Sequence, residues 1–240
     1  DEGQKLYSFV EPGCQQFFKG ESLISQAVNL ETGTVHIATT VTAFQCSLAD
    51  AITGFAELFP NVNFKLSNFS TSGEAAAAVK NAAADISVVP SPVEVDPPLK
   101  KHDILRFKSV LVASRGTPPP ARMPLHISEL ENYPFIFLAE HTAGRRFFDE
   151  ILQKYGVTLD VHVVPATNGM VLPLVMRGVG LGFLPEPMVA EELSRGSIYK
   201  IPLAEDIPDR SICVVHDPTK PKSLSATAFY DYLIESSGLK

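Results

Sequence analysis

From Gly33 onward the chain alternates between two hydrophobic periods, and that alternation constrains its fold more than any other feature. Residues 34–39 are rich in β-forming types. Phe44, Leu48, Ala51, Ile52, Phe55 and Leu58 then recur at helical steps until Pro60, which has no amide hydrogen to donate, stops the run. Val62, Phe64 and Leu66 alternate with polar residues, as a half-buried strand does. Thr71 and Glu74 have capping-box spacing ahead of an alanine-rich helix that reaches about Asn81, and residues 85–89 follow as a strand. Strand and helix in succession make βαβ units, whose parallel strands require right-handed crossovers.

The same grammar then repeats. After a proline-rich stretch over 90–98, a long strand is expected over residues 104–114. Residues 135–138 read as a strand, and Phe147, Phe148, Ile151, Leu152 and Tyr155 as one face of a helix that Gly156 closes. Residues 161–164 and 179–184 are short apolar strands of buried type, separated by a helix over 170–177. Strands at 198–201 and 211–215 and a closing helix at 223–234 complete an α/β chain.

The first 31 residues follow another rule. Leu6, Val10, Phe17, Ile24 and Val28 lie at steps of four and seven, a narrow apolar seam along a helix over residues 4–31, with a break expected at Pro12-Gly13. So narrow a seam calls for a partner helix, and self-association as a homodimer or tetramer is expected.

Composition excludes several classes. With 20 Lys+Arg against 27 Asp+Glu, a net charge of −7 and a pI near 5.4, the chain lacks the basic excess that gripping a nucleic-acid backbone demands. No run approaches the ~20 apolar residues of a membrane helix, so no membrane partner is expected. Cys14, Cys46 and Cys213 are odd in number, far apart and in no C-x-x-C arrangement, which suits neither a disulfide framework nor a zinc site and favours a reducing, cytoplasmic compartment.

The ends of four expected strands carry hydroxyl or amide residues where the next helix starts: Thr40 and Thr42, Ser70 to Ser72, Thr142, and Thr167 with Asn168. In an open α/β sheet the carboxyl ends of the strands line one crevice, and helix starts present free N–H groups to an anion. Each residue alone reads equally as an ordinary N-cap; four equivalent placements point to a shared ligand site at Thr40, Thr42, Ser70, Ser72, Thr142 and Asn168. The full charges expected nearby are Arg145 and Arg146, of which at most one can face the crevice, so the ligand is expected to be a small anion or short carboxylate held mainly by neutral donors.

Enzyme signatures are weak. The six histidines show no metal-ligand spacing, Ser197-x-x-Lys200 lacks its companion motifs, and Gly178, Gly180 and Gly182 lead into a strand instead of out of one. Only His141 and Glu140 offer an acid or base near the crevice, and no catalytic residue, metal or cofactor is assigned.

The assembled pattern resembles the effector-binding portion of LysR-type transcriptional regulators. Gly33-Thr34-Val35-His36-Ile37-Ala38 resembles that family's first strand, Phe55-Ala56-Glu57-Leu58-Phe59-Pro60-Asn61-Val62 its helix end and second strand, and Ala84-Asp85-Ile86-Ser87-Val88 its third. Gly178-Val179-Gly180-Leu181-Gly182-Phe183-Leu184-Pro185 resembles its glycine-rich strand, and Asp1-Glu2-Gly3 with Leu6 the junction between its winged helix-turn-helix and linker helix. Ala38-Thr39-Thr40-Val41-Thr42 is similar to the family's sulfur-assimilation activators, which bind a sulfate-like anion there; Ala43 stands where those carry glutamine, and Gly73 near where they carry a hydroxyl.

The resemblance implies two Rossmann-like lobes joined by two crossover strands, of the type 2 periplasmic-binding-protein kind, behind a linker helix. It implies a linker and dimerisation helix over 1–31, a first lobe over 33–110 plus 216–240, and a second over 111–215. A small-molecule coinducer would sit between the lobes and control transcription, with DNA bound only through an N-terminal domain absent from these residues. Two other classes compete: a solute-binding protein of a transport system, to which a seamed N-terminal helix would be useless, and an enzyme on the same two-lobed fold.

Overall fold

The structure, a computed structural model, describes Gly3, Tyr7, Val10, Cys14 and residues 32–238. The expected linker helix therefore lies outside the described residues except for those four, which are helical and exposed. Of the apolar seam only Val10 is described.

The alternation that begins at Gly33 builds a five-stranded sheet. Strand β1 (Gly33–Thr39) pairs in parallel with β2 (Val62–Asn68) on one side and β3 (Ile86–Pro90) on the other. Between β1 and β2 runs helix α1, made of Val41–Ala43, a π-helical segment Phe44–Leu48 and Ala49–Leu58. Helix α2 (Ser72–Lys80) connects β2 to β3, and its capping box forms: the Thr71 hydroxyl accepts from the Glu74 amide, and the Glu74 carboxylate accepts from the Thr71 amide, both at 3.1 Å.

Side-chain alternation gives this sheet two cores. Val35, Ile37, Val88, Ile212 and Val214 face Phe55 of α1 and Phe229 of helix α6 (Leu224–Ser237), while Ala38, Val89, Cys213 and Val215 face the alanines of α2. Four consecutive alanines, Ala75 to Ala78, leave α2 slim enough to lie close on its face.

The expected long strand over 104–114 is two strands. β4 (Lys100–Phe107) forms the outer edge of the first sheet, and after Lys108 the chain enters β5 (Ser109–Ser114) in a second sheet. There β8 (Gly182–Pro185) and β9 (Ile198–Ile201) flank β5, both antiparallel to it. β6 (Pro134–Ile136) and β7 (Asp160–Val163) pair in parallel, and a bridge from Phe135 to Leu181 joins them to the β8 side. That junction needs a glycine, because a Cβ on Gly180 would stand 2.6 Å from the Pro134 carbonyl oxygen. Helix α3 (Ala143–Tyr155) links β6 to β7, and α4 (Asn168–Met176) runs from β7 toward β8. A helix the sequence pattern does not disclose, α5 (Glu186–Arg195), follows β8.

Strand β10 (Arg210–His216) corrects an expected boundary. The resemblance places residues 111–215 together in the second lobe, yet β10 pairs antiparallel with β3 and β4 at the heart of the first sheet. Every residue of β10 is buried, as a strand covered on both faces must be. The two sheets then have matching plans, β2-β1-β3-β10-β4 and β7-β6-β8-β5-β9, with the chain passing between them twice, at Lys108 and over residues 202–209.

Candidate ligand site between the two sheets

Because β1, β2, β6 and β7 are parallel strands followed by helices, α1 to α4 all begin at the same crevice. A cavity of about 380 Å3, mouth included, opens there. All six residues expected from sequence line it: Thr40, Thr42, Ser70, Ser72, Thr142 and Asn168. Val41, Phe69, Pro90, Leu138, Ala143, Gly144, Ala166, Thr167 and Arg210 complete the wall.

The hydroxyls divide into two kinds. Thr142 caps α3: its Oγ1 donates to the Ala139 carbonyl at 2.9 Å and accepts from the Arg145 amide at 3.2 Å. Ser72 Oγ donates to the Pro90 carbonyl at 2.9 Å. Thr40 Oγ1 accepts from the Ala43 amide at 3.4 Å, and Thr42 Oγ1 accepts from Asn168 Nδ2 at 2.9 Å. Those last two hydroxyl hydrogens have no acceptor among the described residues, so both are available to a ligand.

The charge in the site is not the one expected. Arg145 is engaged elsewhere, its Nε on both Asp149 oxygens at 2.8 and 3.1 Å, its Nη1 on the Leu138 carbonyl, and its guanidinium over the Phe137 ring. Arg146 is exposed, and neither arginine lines the cavity. Arg210 does, at 4% exposure. Its Nε and Nη2 donate to the Ser91 carbonyl at 3.0 and 2.5 Å, and its guanidinium lies 5.3 Å from the Phe107 ring centre and 5.2 Å from that of Phe147.

Among the described residues no carboxylate pairs with Arg210. Burial draws its pKa down from the ordinary arginine value to about 10, which still leaves it a cation at neutral pH. Cys46 opposes that pull electrostatically, but burial pushes its own thiol up to about 12, so it stays neutral and does not balance the charge. Gly144, in the first turn of α3, lies close beside this group: a Cβ there would crowd Leu138 Cδ1 at 2.9 Å and would reach ordinary contact with Arg210 Nη1 at 3.6 Å. An unbalanced buried cation beside four helix starts is an electrostatic setting that favours an anion.

Nothing in the wall offers acid–base or metal chemistry. Its side chains include no carboxylate or imidazole, Glu140 and His141 are exposed and outside it, and no cluster of three metal-ligating side chains occurs among the described residues. Among those residues, too, no helix is long and apolar enough to cross a membrane.

Comparison with known proteins adds the family. A family model described as the LysR substrate binding domain matches residues 29–238. The chain belongs to that family. This LysR substrate-binding domain is 26% identical over 200 residues to the HTH-type transcriptional regulator cbl of Escherichia coli (strain K12), a match that takes in 79% of the domain and 63% of the relative. It thus spans a little under two thirds of that relative's length. Its fold is that of the CcmR regulatory domain of Synechocystis PCC6803, solved in complex with 2-PG, with a TM-score of 0.76 at 19% identity over 87% of this chain and 99% of that one. The cofactor-binding domain of the Cbl transcriptional regulator superposes with a TM-score of 0.76 at 22% identity, over 87% of this chain and 90% of that one. These regulatory relatives favour the sensor reading over the transport one.

Proposed function

We propose that this domain senses a small anion, a short carboxylate or an oxyanion, in the cavity between its two sheets, and so controls the DNA binding of the regulator it belongs to. The observation that supports this most directly is Arg210, buried, cationic and without a carboxylate partner among the described residues, in a wall whose other polar groups are hydroxyls, an amide and helix starts. A bulky apolar ligand would strand that charge; a compact anion neutralises it.

Thr40, Thr42, Ser70, Ser72, Thr142 and Asn168 form the rest of the ligand shell in this reading, with Thr40 and Thr42 donating directly. Donors from both lobes meet at the ligand, so the anion favours the closed arrangement by the difference between its affinities for closed and open forms. The regulator acts in the cytoplasm as a homodimer or tetramer, and meets DNA through a separate N-terminal domain. Calorimetric titration of sulfate, phosphate, small carboxylates and aromatic acids into the domain and its Arg210→Met variant tests the reading. Anion binding by the parent that falls at least tenfold in the variant is expected; stabilisation by large apolar compounds alone, with no anion bound, overturns it.

A further inference from the structure

One side chain of the cavity wall carries a polar atom that does not suit an anion. Asn168 is 5% exposed, and its amide is committed at one end only: Nδ2 donates to Thr42 Oγ1 at 2.9 Å, while Oδ1 is buried with no hydrogen-bond partner among the described residues. Asn168 lines the cavity, at the first turn of α4. Buried carbonyl oxygens without a donor are rare, and one in a ligand cavity marks where the ligand's own donor belongs.

Several of the neighbouring donors are already committed elsewhere, and none is bonded to it. The Thr42 hydroxyl already accepts from the same amide through its oxygen, the Thr142 hydroxyl hydrogen is held by Ala139 and that of Ser72 by Pro90. Arg210 directs two of its N–H groups to the Ser91 carbonyl. On the ligand's side the shell therefore offers a cation and hydroxyl donors on one part and a lone acceptor on another.

Building on the anion reading above, we propose that the site selects anions that also carry a hydrogen-bond donor, a hydroxy-carboxylate or a protonated phosphate, over anions that are acceptors throughout. A sulfate or simple alkanoate satisfies Arg210, Thr40 and Thr42 but sets a lone pair against Asn168 Oδ1 or leaves that oxygen bare. A glycolate hydroxyl or a phosphate P–OH fills it. The discrimination lies in Asn168, the affinity in Arg210.

Two matched pairs of probes test this by titration at neutral pH: glycolate against propionate, which replaces a hydroxyl by a methyl, and inorganic phosphate against sulfate. The donor-bearing member of each pair is expected to bind roughly ten- to a hundredfold more tightly. Asn168→Ala, a change that helical backbone accepts, is expected to bring both ratios close to one while all four anions still bind. Equal binding within each pair by the parent domain overturns the selectivity and leaves the anion site standing. Tighter binding of propionate and sulfate overturns it as well, and turns the Asn168 amide end for end. Failure of all four to bind overturns the anion site together with the selectivity.

Discussion

Thr42 and Asn168, 126 positions apart in the chain, are joined by a 2.9 Å hydrogen bond from Asn168 Nδ2 to Thr42 Oγ1. Thr42 belongs to the first turn of α1 beside the first sheet, Asn168 to the first turn of α4 beside the second, so this bond ties one lobe to the other across the cavity.

Thr42→Val keeps the side-chain shape and removes the acceptor. It is expected to cost about 0.5–1.5 kcal/mol in urea unfolding, the net worth of an ordinary hydrogen bond, and to enlarge the radius of gyration in solution scattering as the lobes part and water solvates the Asn168 amide. An unchanged radius with full stability would show that the tie carries no closing force.

Arg210→Met separates stability from binding. Removing a buried, unpaired cation relieves desolvation while forfeiting the bonds to Ser91 and the contacts with Phe107 and Phe147, and these terms oppose each other. The ligand-free variant is expected to unfold within about 1 kcal/mol of the parent, yet to lose the rise in melting temperature that anions give the parent. A large loss of stability without loss of anion stabilisation would make Arg210 a structural residue only.

His216 sets a pH dependence remote from the cavity. Burial, then the charges of Lys222, His102 and Lys100, hold its pKa down at about 4 against an ordinary 6.5, with Asp217 pulling the other way; Lys222 Nζ lies 3.1 Å from Nδ1 and the Tyr230 hydroxyl 3.3 Å from Nε2. Between those two values the unfolded chain binds a proton that the folded protein refuses. The contribution is therefore intact above about 6.5 and is lost as pH falls toward 4, at no more than ~1.4 kcal/mol per pH unit. Chemical denaturation across that window should show the decline, and His216→Phe should flatten it; an unchanged slope in the variant would assign the decline to other groups.

Gly180→Ala should be among the most damaging single-methyl additions to the chain. The new Cβ would meet the Pro134 carbonyl at 2.6 Å, and the atom in its way is backbone, so β6 must move off the chain at Leu181. A loss of roughly 1–3 kcal/mol is expected in thermal or denaturant unfolding. Gly73→Ala, where the added Cβ meets nothing within 4 Å, is the control that should cost little.

Sequence reading reaches six of the polar residues of the cavity because each follows a parallel strand, and the carboxyl ends of parallel strands share one edge of a sheet. Arg210 escapes it for the same reason reversed. β10 runs antiparallel to β3, so its amino end is what arrives at the crevice, and the search for charge at strand ends and helix starts passes over it. The contact that seats it, with Ser91, is 119 positions away. The strand over 104–114 reads as one because no glycine or proline breaks the run at Lys108, where the chain changes sheets. α5 goes unseen because only Val189 in it is buried, which leaves no periodicity to detect.

The two passages between the sheets decide the order in which the protein can be finished. β4, on the rim of the first sheet, runs on into β5 inside the second; β9, on the rim of the second, runs on toward β10 inside the first. As the chain leaves a ribosome, the second sheet has all its strands once Ile201 has emerged, whereas the first, begun at Gly33, waits for Arg210–His216 to fill the gap between β3 and β4. The half that starts first closes last. The strand that completes it also delivers Arg210, so the pocket gains its charge in the same step that makes the earlier half stable.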